Sequence, residues 1–232
     1  MIASNFPQFL SGLTSEFTPV IDSSYLQEDY MHIDLSGTNK ELSEVDISSS
    51  EDFSVYIREY LQKHGKKVAF GGYNEVRDLY RRSELFSASE GEEMERNIHI
   101  GLDIWAEAGT AVLAVMEGKV HSFQDNATFG DYGPTIILEH HISGKTYFSL
   151  YGHLSKHSLQ QISVGKEVKQ GEKLATLGKP SENGDYAPHL HFQLMGNLQG
   201  KKGDYPGVTS LKELDFYLLN CPDPNLLLKI KK

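Results

Sequence analysis

The chain has 232 residues, with 22 Lys and Arg against 32 Asp and Glu, one Cys and 39% hydrophobic residues, enough for one sizeable core or one core with a small appendage. A formal net charge of -10 excludes broad phosphate-backbone binding, which depends on clustered Lys and Arg releasing counterions, so no nucleic-acid partner is expected. Cys221 has no partner in the chain, which rules out an internal disulfide and a cysteine-built zinc cluster, and any metal must be held by His, Asp or Glu.

The opening stretch MIASNFPQFLSGLTSEF shows neither a basic leader nor an apolar run of signal-peptide length, and nowhere do about 18 apolar residues run together. A cytoplasmic protein without membrane insertion is the expectation. Residues 1–90 read as an α+β extension packing on the β-rich region C-terminal to it. Its clearest element is a helix in which Ser50 or Asp52 caps Phe53, Val55, Ile57, Tyr60 and Leu61 before a stop at Gly65. Lys67 to Tyr73 reads as a strand ending in a flexible turn, and Asn74 to Arg82 as a second short helix. The acidic run SASEGEEMER, residues 87 to 96, is the expected boundary.

From residue 91 to about 200 the texture changes to short apolar runs punctuated by Gly: IHIGLDIW, TAVLAVM, GKVHSF, PTIILEHH, TYFSLYGHL, VGKEVKQGEKLATLG and HLHFQLM. Strands rich in Val, Ile, Tyr and Phe with turn signals every 8 to 12 residues or so predict a mainly β, antiparallel sandwich or barrel-like sheet. Residues 201–232 form the C-terminal part, with one helix expected over Ser210 to Leu219 and an extended CPDPNLLL segment.

Five of the ten histidines fall in three patterns in the β region. In His99-Ile-Gly-Leu-Asp103 the two end residues would lie about 13 Å apart on a regular strand, and Gly101 permits the bend that brings them together. In His189-Leu-His191 alternation sends both imidazoles to one face, and Pro188 suits the strand start. In Tyr151-Gly-His153, His153 is expected on the face of Tyr151 and Ser149, with Gly152 leaving room for a substrate or loop. A lone H-x-H or H-x-x-x-D occurs often by chance; their co-occurrence behind one boundary points to a metal site of nitrogen and oxygen ligands, the donors zinc takes. His32, His64, His121, His140, His141 and His157 read as solvated or structurally satisfied side chains.

These motifs, in this order over about residues 96 to 196, resemble the lysostaphin-like (LytM-type) zinc metallopeptidases. The resemblance implies an antiparallel β fold of the duplicated hybrid type with a substrate groove. It also implies one zinc ion on His99, Asp103 and His191, and a catalytic pair in His153 and His189. Three protein ligands leave an open position at the metal, and with no H-E-x-x-H a non-ligating imidazole takes the role of base. How the two imidazoles divide the work is open. GGYNEVRDLYRRSELF, YGPTIILEH, PSENG and CPDPNLLL further resemble a subgroup without export signals, some of whose relatives carry the domain fused to a kinase-like domain and a pyridoxal-phosphate aminotransferase.

The activity so implied is metal-assisted hydrolysis of small-residue, peptidoglycan-type peptides. The alternatives are a cytosolic metallohydrolase acting on a small peptide or modified amino acid, and a non-catalytic regulatory module, since some relatives lose the ligands and activate partners. A biotinyl- or lipoyl-carrier reading of AVLAVMEGKV fails for want of a modifiable lysine turn. Asp185-Tyr-Ala-Pro188, where many members carry Gly-Pro, sets a carboxylate and a phenol near the groove, to shape specificity or to cap a turn. If the N-terminal part walls the groove, Arg77, Arg81 and Arg82 would meet a substrate carboxylate; otherwise they form a solvated basic helix face.

Overall fold

The computed structural model describes residues 5–87 and 92–232. Among the described residues thirteen strands carry the architecture: β1 (Tyr30–His32), β2 (Val68–Gly71), β3 (Glu75–Val76), β4 (Arg96–His99), β5 (Leu102–Trp105), β6 (Ala111–Leu113), β7 (Gly118–Asn126), β8 (Gly133–Ile142), β9 (Lys145–Gly152), β10 (Glu167–Val168), β11 (Lys173–Thr176), β12 (His189–Met195) and β13 (Val208–Ser210). Eight of them form one large sheet in the order β1-β2-β5-β12-β9-β8-β7-β10, antiparallel throughout except for the edge pair β1–β2. The mainly β expectation holds, with that one parallel pair as its exception.

Alternation along the central strands sorts the side chains between two faces. Leu102, Ile104, Leu190, Phe192, Leu194, Ile136, Leu138 and Tyr151 point into the main core, where Val112, Leu174 and Ala175 of the small β6–β11 sheet meet them. The opposite face carries His189, His191 and Gln193 of β12 with Asp103 and Trp105 of β5. Register sets His191 directly across from Asp103 and His189 across from Trp105. A third sheet, β13-β4-β3, holds the strand that ends in His99.

The N-terminal part is woven into this frame: β1 and β2 extend the large sheet and β3 pairs with β4. Helix α1 (Phe6–Ser11) buries Phe6 and Leu10 in the main core. Helix α2 (Ser50–His64) packs Phe53 and Ile57 against Ile33, Ala69 and Trp105. Its cap is Ser49, one residue earlier than expected, whose side chain accepts from the Asp52 amide, and it stops at Gly65 in the left-handed conformation. Val55 falls off the buried face and is exposed.

Three local expectations are corrected. Residues 74–82 do not form a helix: Glu75 and Val76 pair with His99 and Ile98, and a 3-10 turn, Asp78–Arg82, comes next. Tertiary pairing with β4 outweighs the local propensity. Ser210 ends β13, so the C-terminal helix α4 begins later, at Leu214–Asn220, after a 3-10 turn. CPDPNLLL is not extended: after a one-turn helix, α3 (Lys156–Leu159), and α4, it supplies α5 (Asn225–Leu228), which buries Leu227 and Leu228 in the main core. The acidic boundary over 87–96 lies partly outside the described residues, and Glu92–Met94 is a 3-10 turn leading into β4. Among the described residues no helix is long and apolar enough to cross a membrane.

Candidate metal centre and active-site cleft

His99 at the end of β4, Asp103 on β5 and His191 on β12 converge in the interior, all three buried. His99 Nε2 lies 2.8 Å from His191 Nδ1 and 3.3 Å from Asp103 Oδ1, and His191 Nδ1 lies 3.2 Å from the same oxygen. A tetrahedral ion with bonds of about 2.0–2.1 Å has ligand-to-ligand edges of about 3.3 Å, so the triangle is of zinc's size.

Protonation gives a sharper test of the fit. His99 Nδ1 donates to the Gly72 carbonyl at 2.8 Å, which leaves Nε2 with a lone pair. The Gln193 amide donates to the Pro206 carbonyl, so its oxygen faces His191 Nε2 at 2.9 Å and makes that nitrogen the protonated one. His191 Nδ1 therefore also carries a lone pair. Two imidazole lone pairs and a carboxylate oxygen meet with no proton fixed between them, and a cation is what reconciles such a set.

Gly101 sits at the expected bend, between β4 of one sheet and β5 of another, and it also has a second role. Its φ is not positive, and its want of a side chain matters because a Cβ there would fall 2.4 Å from His191 Cε1. His153 departs from expectation. Tyr151 and Ser149 point to the core, their hydroxyls 3.3 Å apart, whereas β9 ends at Gly152 and His153 turns away in a left-handed conformation (φ 60°). That turn brings its ring to 4.2 Å, centroid to centroid, from His189. Gly152 makes room for the Tyr132 ring, not for a ligand.

Both of these imidazoles are held in one tautomer. His153 Nδ1 donates to the Asn183 carbonyl and His189 Nδ1 to the Ala187 carbonyl, each at 2.7 Å, which leaves Nε2 unprotonated on both. His189 Nε2 lies 3.9 Å from Asp103 Oδ1, beside the triangle but outside it. Burial pushes His153 well below the ordinary imidazole range, and the neighbouring His189 adds to this. Burial likewise lowers His189, with Asp103 opposing, and lowers His99 to about 4. Burial alone would raise the Asp103 carboxyl, but His99, the Arg77 guanidinium and His189 around it hold it well below the carboxylate range. The site thus presents neutral imidazoles at His99, His153 and His189 and one ionised carboxylate.

A cleft of about 260 Å³ opens onto these groups. Trp105, stacked 5.5 Å from His189, and Tyr132, whose hydroxyl is 3.3 Å from His191 Nε2, form its floor. Leu79, Tyr80, Leu85 and Phe86 wall one side, and Tyr205 to Val208 another, so the N-terminal part does line the groove. Asp185 and Tyr186 split the two roles expected of them. Asp185, with φ 68°, is tied down by Ser50 and Arg82, while the Tyr186 ring packs 4.9 Å from His153 in the cleft wall.

Each of the three arginines meets this chain's own groups, although Arg81 is largely exposed and Arg77 borders the cleft. Arg77 is buried on Glu75 and Asp103, Arg81 pairs with Asp78 and Glu95, and Arg82 donates to the Ser48 and Asp185 carbonyls under the Tyr186 ring. Nothing local to Tyr132 signals a site, whereas Trp105, two residues past Asp103 on β5, shares that face by strand alternation. Gln193 had a signal: two residues past His191 on the same strand, it must share that face. His140, buried between Ser149 Oγ and the Glu117 carbonyl, lies in the core away from the cleft.

The β domain thus brings together a buried His-Asp-His triad that could hold a metal ion and two further imidazoles beside it. Residues 97–204 match the model of peptidase family M23, so the chain carries an M23 domain of the lysostaphin (LytM) type. It is 27% identical over 140 residues to the peptidoglycan DD-endopeptidase ShyC of Vibrio cholerae, covering 60% of this chain and 30% of that protein. It is 31% identical over 105 residues to the murein hydrolase activator EnvC of Escherichia coli, covering 45% of this chain and 22% of that one. The catalytic domain of lysostaphin from Staphylococcus simulans, 29% identical, aligns over 52% of this chain and 80% of its own with a TM-score of 0.38. This chain spans less than a third of the length of either of these curated relatives, ShyC and EnvC.

Proposed function

We propose that the protein is a zinc-dependent hydrolase that cleaves amide bonds in small-residue peptides of the peptidoglycan type. The observation that carries this reading is the meeting of three lone pairs on His99, Asp103 and His191 beside two unprotonated Nε2 atoms on His153 and His189. A zinc ion held there supplies Lewis acidity and lowers the pKa of water to about 7.

The chain's own groups do the rest. The Nε2 of His189 or His153 accepts the proton of the attacking water, and the imidazolium so formed returns it to the leaving amine. The carbonyl acceptors on both Nδ1 atoms keep the rings from turning over between these two transfers. Trp105, Tyr132 and Tyr186 exclude bulk water and offer flat faces to a peptide backbone.

A second reading, a short free peptide or modified amino acid as substrate, is favoured by the small cleft and by the walls that segments 79–86 and 205–208 raise beside it. A regulatory role is disfavoured by the presence of all five site residues. Metal-replete and chelated protein, each incubated with purified peptidoglycan and with a length series of Gly- and Ala-containing peptides, separates the readings. Chelator-sensitive release of new amino groups supports hydrolysis. Turnover confined to the shortest peptides selects the second reading, and no turnover of any amide by metal-loaded protein overturns both.

A further inference from the structure

The segment Gly72–Tyr80 lies outside the stretch that matches the M23 model, yet it touches two of the three candidate ligands. The Gly72 carbonyl accepts from His99 Nδ1 at 2.8 Å, and the Tyr80 ring stacks on His99 at 6.3 Å. Arg77, 2% exposed, donates from Nη1 to Asp103 Oδ2 at 2.6 Å and from Nε to Glu75 Oε2 at 2.6 Å. Asp103 therefore divides its oxygens, Oδ1 toward His99 and His191 and Oδ2 toward the guanidinium. Arg77 Nη2, which has no hydrogen-bond partner, is packed against Gly72, where an added Cβ would collide with it.

We infer that Arg77, anchored by Glu75, is a positioning residue of the metal centre: it holds Asp103 to one-oxygen ligation and occupies the oxygen that would otherwise compete for the ion. The inference rests on the metal-site reading of the triad. A planar guanidinium suits the task because its fork spans two carboxylates at fixed angles, whereas a lysine ammonium is a single point charge. Groups that orient a ligand from behind contribute about 10- to 100-fold to metal affinity.

The test titrates Zn2+ against a competing chelator in full-length wild type, Arg77→Met, Arg77→Lys and Glu75→Gln, with Co2+ absorption as a report on ligand geometry and circular dichroism as a report on folding. Wild type should bind one ion. Arg77→Met should bind it about 10- to 100-fold more weakly with a shifted Co2+ spectrum while staying folded. Arg77→Lys should recover only part of the affinity, and Glu75→Gln should show a smaller loss. If Arg77→Met fails to fold, Arg77→Lys and Glu75→Gln carry the same comparison. A folded Arg77 or Glu75 variant with wild-type affinity and spectrum overturns the inference and leaves the metal site standing. Wild type that binds no ion overturns the metal-site reading itself.

Discussion

Replacing Gly101 with Ala adds one methyl group at a crowded point of the site. The new Cβ would lie 2.4 Å from His191 Cε1 and 2.5 Å from its Nε2, against an ordinary carbon contact of about 3.5–4.0 Å, so ring or backbone must give way by about 1 Å. His191 has little room to retreat, with Gln193 at 2.9 Å and the Tyr132 hydroxyl at 3.3 Å on its Nε2 side. A shift of that size takes Nδ1 out of the His99–Asp103 triangle. Activity should fall about 100-fold, the usual effect of a 1 Å misplacement, and overpacking should cost about 1–3 kcal/mol. Gly12→Ala is the control, because its Cβ would meet only two carbonyl oxygens at 3.5 Å and its φ is an ordinary −85°. Zinc content after gel filtration, calorimetric Tm and peptide turnover are measured on both. Gly101→Ala protein with full zinc content and unchanged turnover would show that the His191 ring does not sit against Gly101.

Further outcomes follow from the same geometry. His191→Ala should abolish metal binding, whereas His189→Ala should keep the ion and lose about 10²- to 10⁴-fold in rate; the reverse pattern in metal analysis refutes the ligand assignment. Zinc at about 100 times its Kd should add about 2.7 kcal/mol to wild-type stability and raise Tm by roughly 5–10 °C, an increment His191→Ala should lack in calorimetry. His140, held at about 4 by burial, is neutral when folded, while the unfolded chain takes up its proton from about pH 6.5 downward. Its contribution, about 3 kcal/mol, is therefore complete above pH 6.5 and lost as pH falls toward 4, and His140→Gln should flatten the wild-type slope of stability in that window when urea unfolding is followed.

Much of the site was legible because strand alternation is rigid. His189 and His191 had to share a face, the register of β12 against β5 carried Asp103 to them, and Leu190 and Phe192 had to enter the core. What escaped depends on contacts distant in sequence. His153 breaks the alternation through a left-handed residue that no local pattern announces, and residues 74–82 read as helix because their pairing partner, β4, lies about twenty residues on. The three arginines carried charge that pointed outward on any helical projection. Their partners, Asp103, Glu95 and Asp185, come from three separate parts of the chain.

The charge ledger of the centre connects these pieces to the chemistry. Glu75 and Arg77 neutralise one another, so the one carboxylate charge left to face a divalent ion is that of Asp103, beside the neutral His99 ring. An ion held by that set would keep a net positive charge beside the cleft, as the proposed hydrolysis requires for its developing oxyanion, and the aromatic walls would limit the water that screens it. A second unpaired carboxylate among the ligands would bind the ion more tightly and weaken that field. The Glu75–Arg77 pair gives Asp103 a hydrogen bond without adding such a charge, so on the proposed reading a segment ahead of the M23 stretch would also set what the site can do.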